Sequence, residues 1–244
     1  MSYLINQKNQ KIAYKLTKGK SPGIVFIHGL NSDMEGLKAK SIEKYAKKHK
    51  ISFVRFDCRG HGESDGKFED FTISDWKEDS LNIIDKLTNG PQILIGSSMG
   101  GWLMMLAAKA RPKKVVGLIG LAAAVDFGND LYNNLTLKNK KEIKKKGHTK
   151  YNSFGFSYTL TKKFFLEAKK NKILSLPFKS KQPLTLIHGM KDNVVKSDMP
   201  KKIMQISTSD NISIIFLKSS DHRLSQPKDL LTINNAIDGM ITII

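Results

Sequence analysis

The chain has 244 residues, 40% of them hydrophobic, which suits one α/β domain with a sizeable core. Its single cysteine, Cys58, excludes an internal disulfide and a cysteine-based zinc cluster, and no stretch approaches about 18 uninterrupted apolar residues, which excludes a transmembrane segment. The formal charge of +19 is almost all lysine, with arginine only at positions 55, 59, 111 and 223, and bidentate phosphate or base recognition favours arginine, so steering of anionic substrates is expected rather than a specific nucleic-acid partner.

The N-terminal stretch "MSYLINQKNQKIAYKL" has neither an apolar signal core nor an arginine-rich amphipathic presequence, so a cytoplasmic location is expected. Within it "YLI" and "KIAYKL" read as an antiparallel hairpin turning at "NQKN". The runs "GIVFIHG", "ISFVRFD", "QILIGS", "VVGLIGLAA", "PLTLIHG" and "NISIIFL" follow, giving eight candidate strands. Helical patterns lie between the later ones. In "SDWKEDSLNIIDKL", Trp76, Ile83 and Leu87 fall on one face with Ser80 between them. Strands alternating with helices predict an α/β fold, an eight-stranded and mostly parallel sheet with helices on both faces.

The segment "LIGSSMGGWL" spans Leu94 to Leu103, where a buried-strand pattern meets the helical pattern "GGWLMMLAAKA". Gly96, Ser98 and Gly100 fit G-x-S-x-G, in which the central serine is held on a sharp strand-to-helix turn with its hydroxyl exposed above the sheet. Ser97 lacks the central position, so Ser98 is the candidate nucleophile.

The next interval breaks the rhythm. About sixty residues separate the strand ending near Ala124 from the one starting near Pro183, too many for an ordinary loop. The chain is therefore expected to divide into a first core segment, 1–125, an inserted lid, 126–182, and a second core segment, 183–244. The lid's "LKNKKEIKKKGHTK" reads as a solvated helix face, and the chain's abundance of Lys, Asn and Ile as a compositional bias. Phe154, Phe156, Tyr158, Phe164 and Phe165 lie within twelve residues. Such rings either anchor the lid or line an acyl pocket, and Phe156 and Phe165 are the candidate substrate contacts.

A serine nucleophile needs a base, and the base needs an orienting group. Of six histidines, His49 and His148 lie in charged surface patterns, while His28, His61 and His188 suit packing or loop support. His222 in "SSDHRLS" directly follows the last strand, at the same edge of the sheet as Ser98, and is the candidate base. Asp192 in "LIHGMKDNVV" is the candidate acid, with Asp126, also just past a strand, as its rival. Asp221 is disfavoured because side chains adjacent in sequence seldom face one another. The order Ser, Asp, His is that of α/β-hydrolases. The backbone N–H of Met99 and that of Leu30, in the loop after "GIVFIHGL", are the candidate oxyanion donors. The chemistry requires no metal and no cofactor.

The stretches "NSDMEGLKA", "FDCRGHGESDG", "GPQILIGSSMGGWLM", "ARPKKVVGLIGLAAA", "LIHGMKDNVV" and "SSDHRL" together resemble the α/β-hydrolase superfamily. Within it they resemble the mitochondrial α/β-hydrolase-domain family of palmitoyl-protein thioesterases and acyl-glucuronide esterases. The similarity runs from about Gly23 to the C-terminus and is weakest in the lid. It implies an α/β-hydrolase fold, Ser98, Asp192 and His222 as a triad, and acyl ester or thioester substrates; the N-terminal stretch without a visible transit peptide, together with the composition, departs from that family and points to a bacterial relative. The competing expectations are a general carboxylesterase or lipase with no protein substrate, and a non-catalytic ligand-binding protein on the same fold.

Overall fold

The computed structural model describes residues 1–153 and 156–244, the side chains of Ser153 and Phe156 excepted. In chain order the elements are β1 (Ser2–Ile5), β2 (Lys11–Thr17), β3 (Lys20–Ile27), α1 (Leu37–His49), β4 (Ile51–Phe56), α2 (Ile73–Leu87), β5 (Gln92–Ser97), α3 (Met99–Ala110) and β6 (Val115–Leu121). Then come α4 (Phe127–Asn133), α5 (Leu137–Lys146), β7 (His148–Ser153), β8 (Phe156–Thr161), α6 (Lys162–Lys170), β9 (Leu184–Gly189), α7 (Met199–Ile206), β10 (Ile212–Leu217) and α8 (Pro227–Ile243).

Eight strands form one sheet in the order β1-β2-β4-β3-β5-β6-β9-β10, and they are the eight apolar runs picked out by pattern. The β1–β2 and β2–β4 pairs are antiparallel, while the pairs from β4 to β10 are parallel. β5 at the centre is buried along its whole length, as expected of a strand covered on both faces. On one face α1 and α8 pack on Ile24, Phe26, Ile93 and Ile95. On the other, α2 and α3 pack on Val25, Ile27 and Leu94. Fully burying each such side chain contributes roughly 1.5–3 kcal/mol.

The connection between β6 and β9 contains α4, α5, a two-stranded antiparallel β7–β8 hairpin and α6. The lysine-rich stretch is a solvated helix with one buried residue, Ile143, only as far as Lys146; His148–Lys150, also expected on that face, open β7, where Thr149 is buried. The hairpin was not anticipated. The inserted elements rest on the body of the molecule through aromatic contacts: Tyr158 meets Phe68 at 5.5 Å, Phe164 meets Trp76 at 6.2 Å, and Phe127 meets Trp102 at 5.6 Å. Trp102 of α3 donates its indole N–H to the Asn171 carbonyl (3.0 Å).

One buried ion pair stabilises the loop after β4. Arg59 Nε donates to Asp79 Oδ1 at 2.6 Å, the Arg59 amide donates to Asp79 Oδ2 at 2.9 Å, and the two side chains are 1% and 0% exposed. Removing one partner strands the other charge away from water. Asp79→Ala is expected to lower unfolding free energy by about 3–5 kcal/mol, read from the urea midpoint at unchanged slope. A loss under about 1 kcal/mol would mean that Glu78 and Gln10, which also hold the guanidinium, suffice alone.

Candidate active site

Ser98 occupies the turn between β5 and α3 with φ 54°, a left-handed conformation that non-glycine residues adopt only when their surroundings impose it. The surroundings here are backbone bonds. The Ser98 amide donates to the Leu121 carbonyl, and the Ser98 carbonyl accepts from Gly101 and Ala124, all at 2.9 Å. The flanking glycines are required sterically: a Cβ on Gly96 would strike the Gly100 carbonyl, and one on Gly100 would strike the Ile27 carbonyl. Gly29 lies so close that a Cβ there would come within 3.1 Å of Ser98 Cβ.

The loops after β9 and β10 bring two more groups to Ser98. His222 Nε2 lies 3.0 Å from Ser98 Oγ, and His222 Nδ1 lies 2.7 Å from Asp192 Oδ2. An ionised carboxylate can only accept, so Nδ1 carries the proton and Nε2 is left to accept from the serine hydroxyl. Burial opposes ionisation of Asp192, yet the bond from His222 and the backbone N–H groups of Val195 and Val194 outweigh it and hold this carboxyl below the usual range. The Asp192 side chain is 0% exposed and that of His222 21%, so the carboxylate is sealed while the imidazole edge stays reachable. His188 packs behind them, its Nε2 donating to the Val195 carbonyl at 3.1 Å, and burial keeps its imidazole neutral by lowering its pKa.

Asp126, the rival acid, is engaged elsewhere. Its carboxylate accepts the backbone N–H groups of Ile173 and Leu174, at 3.0 and 2.8 Å, where the inserted segment returns. Asp221 caps its own turn by accepting the Arg223 amide.

The backbone N–H groups of Leu30 and Met99 have no acceptor among the described residues. His28 accounts for the setting of the first. Its Nε2 accepts the Cys58 amide at 2.9 Å, so Nδ1 carries the proton and donates to the Gly29 carbonyl at 2.7 Å, pinning the Gly29–Leu30 peptide. Burial lowers the pKa of His28 and brings that of neighbouring His61 to about 3, so both rings are neutral. Packing or loop support is the role the sequence suggests for both, and His28 fills the second by holding the loop that carries Leu30. Cys58 is buried, and burial pushes its thiol well up, so it is no nucleophile.

Phe165 is half-buried within the insertion, with ring contacts to Tyr132 at 5.0 Å and Phe164 at 5.3 Å. The Phe156 side chain, and Phe154 entirely, lie outside the described residues. Among the described residues, no helix is long and apolar enough to cross a membrane.

With this fold and this serine elbow, residues 20–153 also match the family model of the serine aminopeptidases, S33. The chain belongs to that family, within the α/β-hydrolase superfamily, and is a hydrolase. Over its whole length it is similar to the Bos taurus protein named palmitoyl-protein thioesterase ABHD10, mitochondrial, with 42% identity covering 100% of this chain and 82% of that protein. The Homo sapiens protein of the same name gives the same identity and coverage. The solved structure of mouse alpha/beta hydrolase domain-containing protein 10 superposes with a TM-score of 0.92 at 38% identity, covering 99% of this chain and 98% of that one. The resemblance read from the motifs therefore holds. The cytoplasmic location expected above does not: these relatives are named as mitochondrial proteins, and composition was no guide to the compartment.

Proposed function

We propose that the chain hydrolyses carboxylic esters and thioesters of acyl groups through an acyl-enzyme on Ser98, with His222 as base and Asp192 orienting it. The observation that carries this reading is the continuous hydrogen-bonded line from Ser98 Oγ through His222 to Asp192, at 3.0 and 2.7 Å. The serine oxygen attacks the acyl carbon while its proton passes to His222 Nε2. The oxyanion that forms is met by the N–H groups of Leu30 and Met99, both left without other acceptors. As the intermediate collapses, the thiolate or alkoxide leaves with the proton from His222. Water then attacks the acyl-enzyme, giving its proton to His222, and Ser98 is released with its proton restored.

The named activity of the mammalian relatives supports a long acyl thioester, including one on a protein cysteine, as substrate. In this reading residues 126–182 form a lid over the site. A panel of acyl thioesters and oxygen esters of graded chain length tests it, with kcat/KM expected to rise with acyl length and thioesters turned over at least as well as esters. Hydrolysis of neither series would end the proposal.

The lid's part in chain-length preference has its own test. Each CH₂ removed from water contributes about 0.8 kcal/mol, roughly four-fold in kcat/KM. If Phe165 borders the acyl chain, Phe165→Ala flattens that rise and spares acetyl-ester hydrolysis. If the ring serves only to pack Tyr132 and Phe164, the variant melts earlier and the chain-length profile keeps its slope.

A further inference from the structure

The positive charge is unevenly placed. Residues 126–182 carry fourteen lysines against four carboxylates, whereas the other 187 residues carry 27 lysines and arginines against 18 carboxylates. A compositional bias would charge all parts of the chain alike, yet more than half of the net charge of +19 sits in under a quarter of the length. Within the insertion the charge is concentrated on α5. Opposite its buried Ile143, Lys138, Lys141 and Lys145 stand at i, i+3 and i+7 along the outer face, all exposed. With Lys146 and Glu142 they border a depression of about 380 Å³. Among the described residues these lysines enter no salt bridge, and Glu142, the sole acid of the helix, accepts from the Thr149 hydroxyl.

Beside the lysines stand apolar side chains that the fold leaves in solvent. Leu137, in the first turn of α5, is 78% exposed. Exposed Tyr132 bridges the inserted helices, with Lys140 Nζ 5.7 Å from its ring centroid and Phe165 of α6 on its other side at 5.0 Å. A helix with a basic outer face and isolated leucine and tyrosine side chains at its flank suits a surface that is anionic on top and apolar beneath. The insertion contains no arginine and so has no bidentate phosphate clamp of the kind nucleic-acid sites use.

We infer that the outer face of α5, with Tyr132 and Leu137 beside it, docks the protein on anionic lipid bilayers. Lysines close to such a surface each strengthen partitioning roughly five-fold, and short apolar side chains add to this by entering the headgroup region.

The test is co-sedimentation of the full chain with phosphatidylcholine vesicles containing one-third phosphatidylglycerol, against pure phosphatidylcholine, at about 0.1 M salt. Binding to the anionic vesicles alone is expected. Lys138→Gln/Lys141→Gln/Lys145→Gln should weaken it about 100-fold, whereas removing the same charge elsewhere, by Lys44→Gln/Lys48→Gln/Lys201→Gln, should weaken it only a few-fold. Leu137→Ser should weaken vesicle binding and leave binding to soluble heparin unchanged. Melting temperature and hydrolysis of a soluble acetyl ester, unchanged in every variant, establish that the fold is intact. No binding to anionic vesicles, equal loss from the two triple variants, or an equal effect of Leu137→Ser on vesicles and heparin would overturn the inference.

Discussion

Ser98→Ala is expected to lower turnover of acyl esters and thioesters by about 10⁴- to 10⁶-fold, the range seen when serine hydrolases lose their nucleophile. The size follows from the arrangement: without Oγ, His222 has no proton to take and no covalent intermediate forms. The fold should survive, since among the described residues Ser98 Oγ hydrogen-bonds only with His222 and makes no capping bond to α3. Alanine also tolerates the φ of 54° about as well as serine does. A fluorophosphonate probe should label wild type at this one serine and leave the variant unlabelled. Labelling that persists in Ser98→Ala, or moves to Ser97, would refute the assignment.

Asp192→Asn is the second large effect, expected near 10⁴-fold, the loss measured for the corresponding change in a serine protease. Asparagine can present its amide N–H to His222 Nδ1, which stabilises the tautomer with the proton on Nε2, the wrong nitrogen for accepting the serine proton. Val194 and Val195, whose amides bond Oδ1, can keep that bond to the asparagine carbonyl, so the loop holds its course. Asp126→Asn should leave turnover within a few-fold and reduce thermal stability instead, because its partners are the Ile173 and Leu174 amides. Kinetics of the two variants, with melting curves alongside, separate the roles. A large kinetic loss in Asp126→Asn with Asp192→Asn little affected would move the acid to the end of β6.

The sheet was legible because its central strands are buried and so read as continuous apolar runs, from "GIVFIHG" to "PLTLIHG", while the half-exposed edge strand β10 still shows through the β-branched residues of "NISIIFL". The line from Ser98 to Asp192 was legible for a related reason: each residue sits just past a parallel strand, and parallel strands deliver their ends to one edge. The β7–β8 hairpin was not, since two short strands packed on one side carry lysine and serine as readily as apolar residues. Nor could the Arg59–Asp79 pair be seen, because one lies in a loop and the other on a helix twenty residues later. Asp126 shows the same limit from the other side. Its place past a strand marked it as an acid candidate, and only the return of the chain 47 residues on reveals what it holds.

That return has an architectural consequence. The chain leaves the sheet through Ala124, tied to the Ser98 carbonyl, and on its way back to β9 passes Ile173 and Leu174, tied to Asp126, with Asn171 tied to Trp102 just before. Departure and arrival are thus stapled together beside the elbow, and the segment between is a closed loop that also rests on Phe68, Ser74 and Trp76. Closing a loop costs only about 0.6 kcal/mol more for each doubling of its length. Closure itself therefore sets little limit on the length of the segment, whereas Leu160 and Phe164, buried in the main core, bind its composition to the body of the molecule. An insertion exchanged at 126 and 173 is therefore expected to fold on this body only where it brings partners for Phe68 and Trp76, whatever its length.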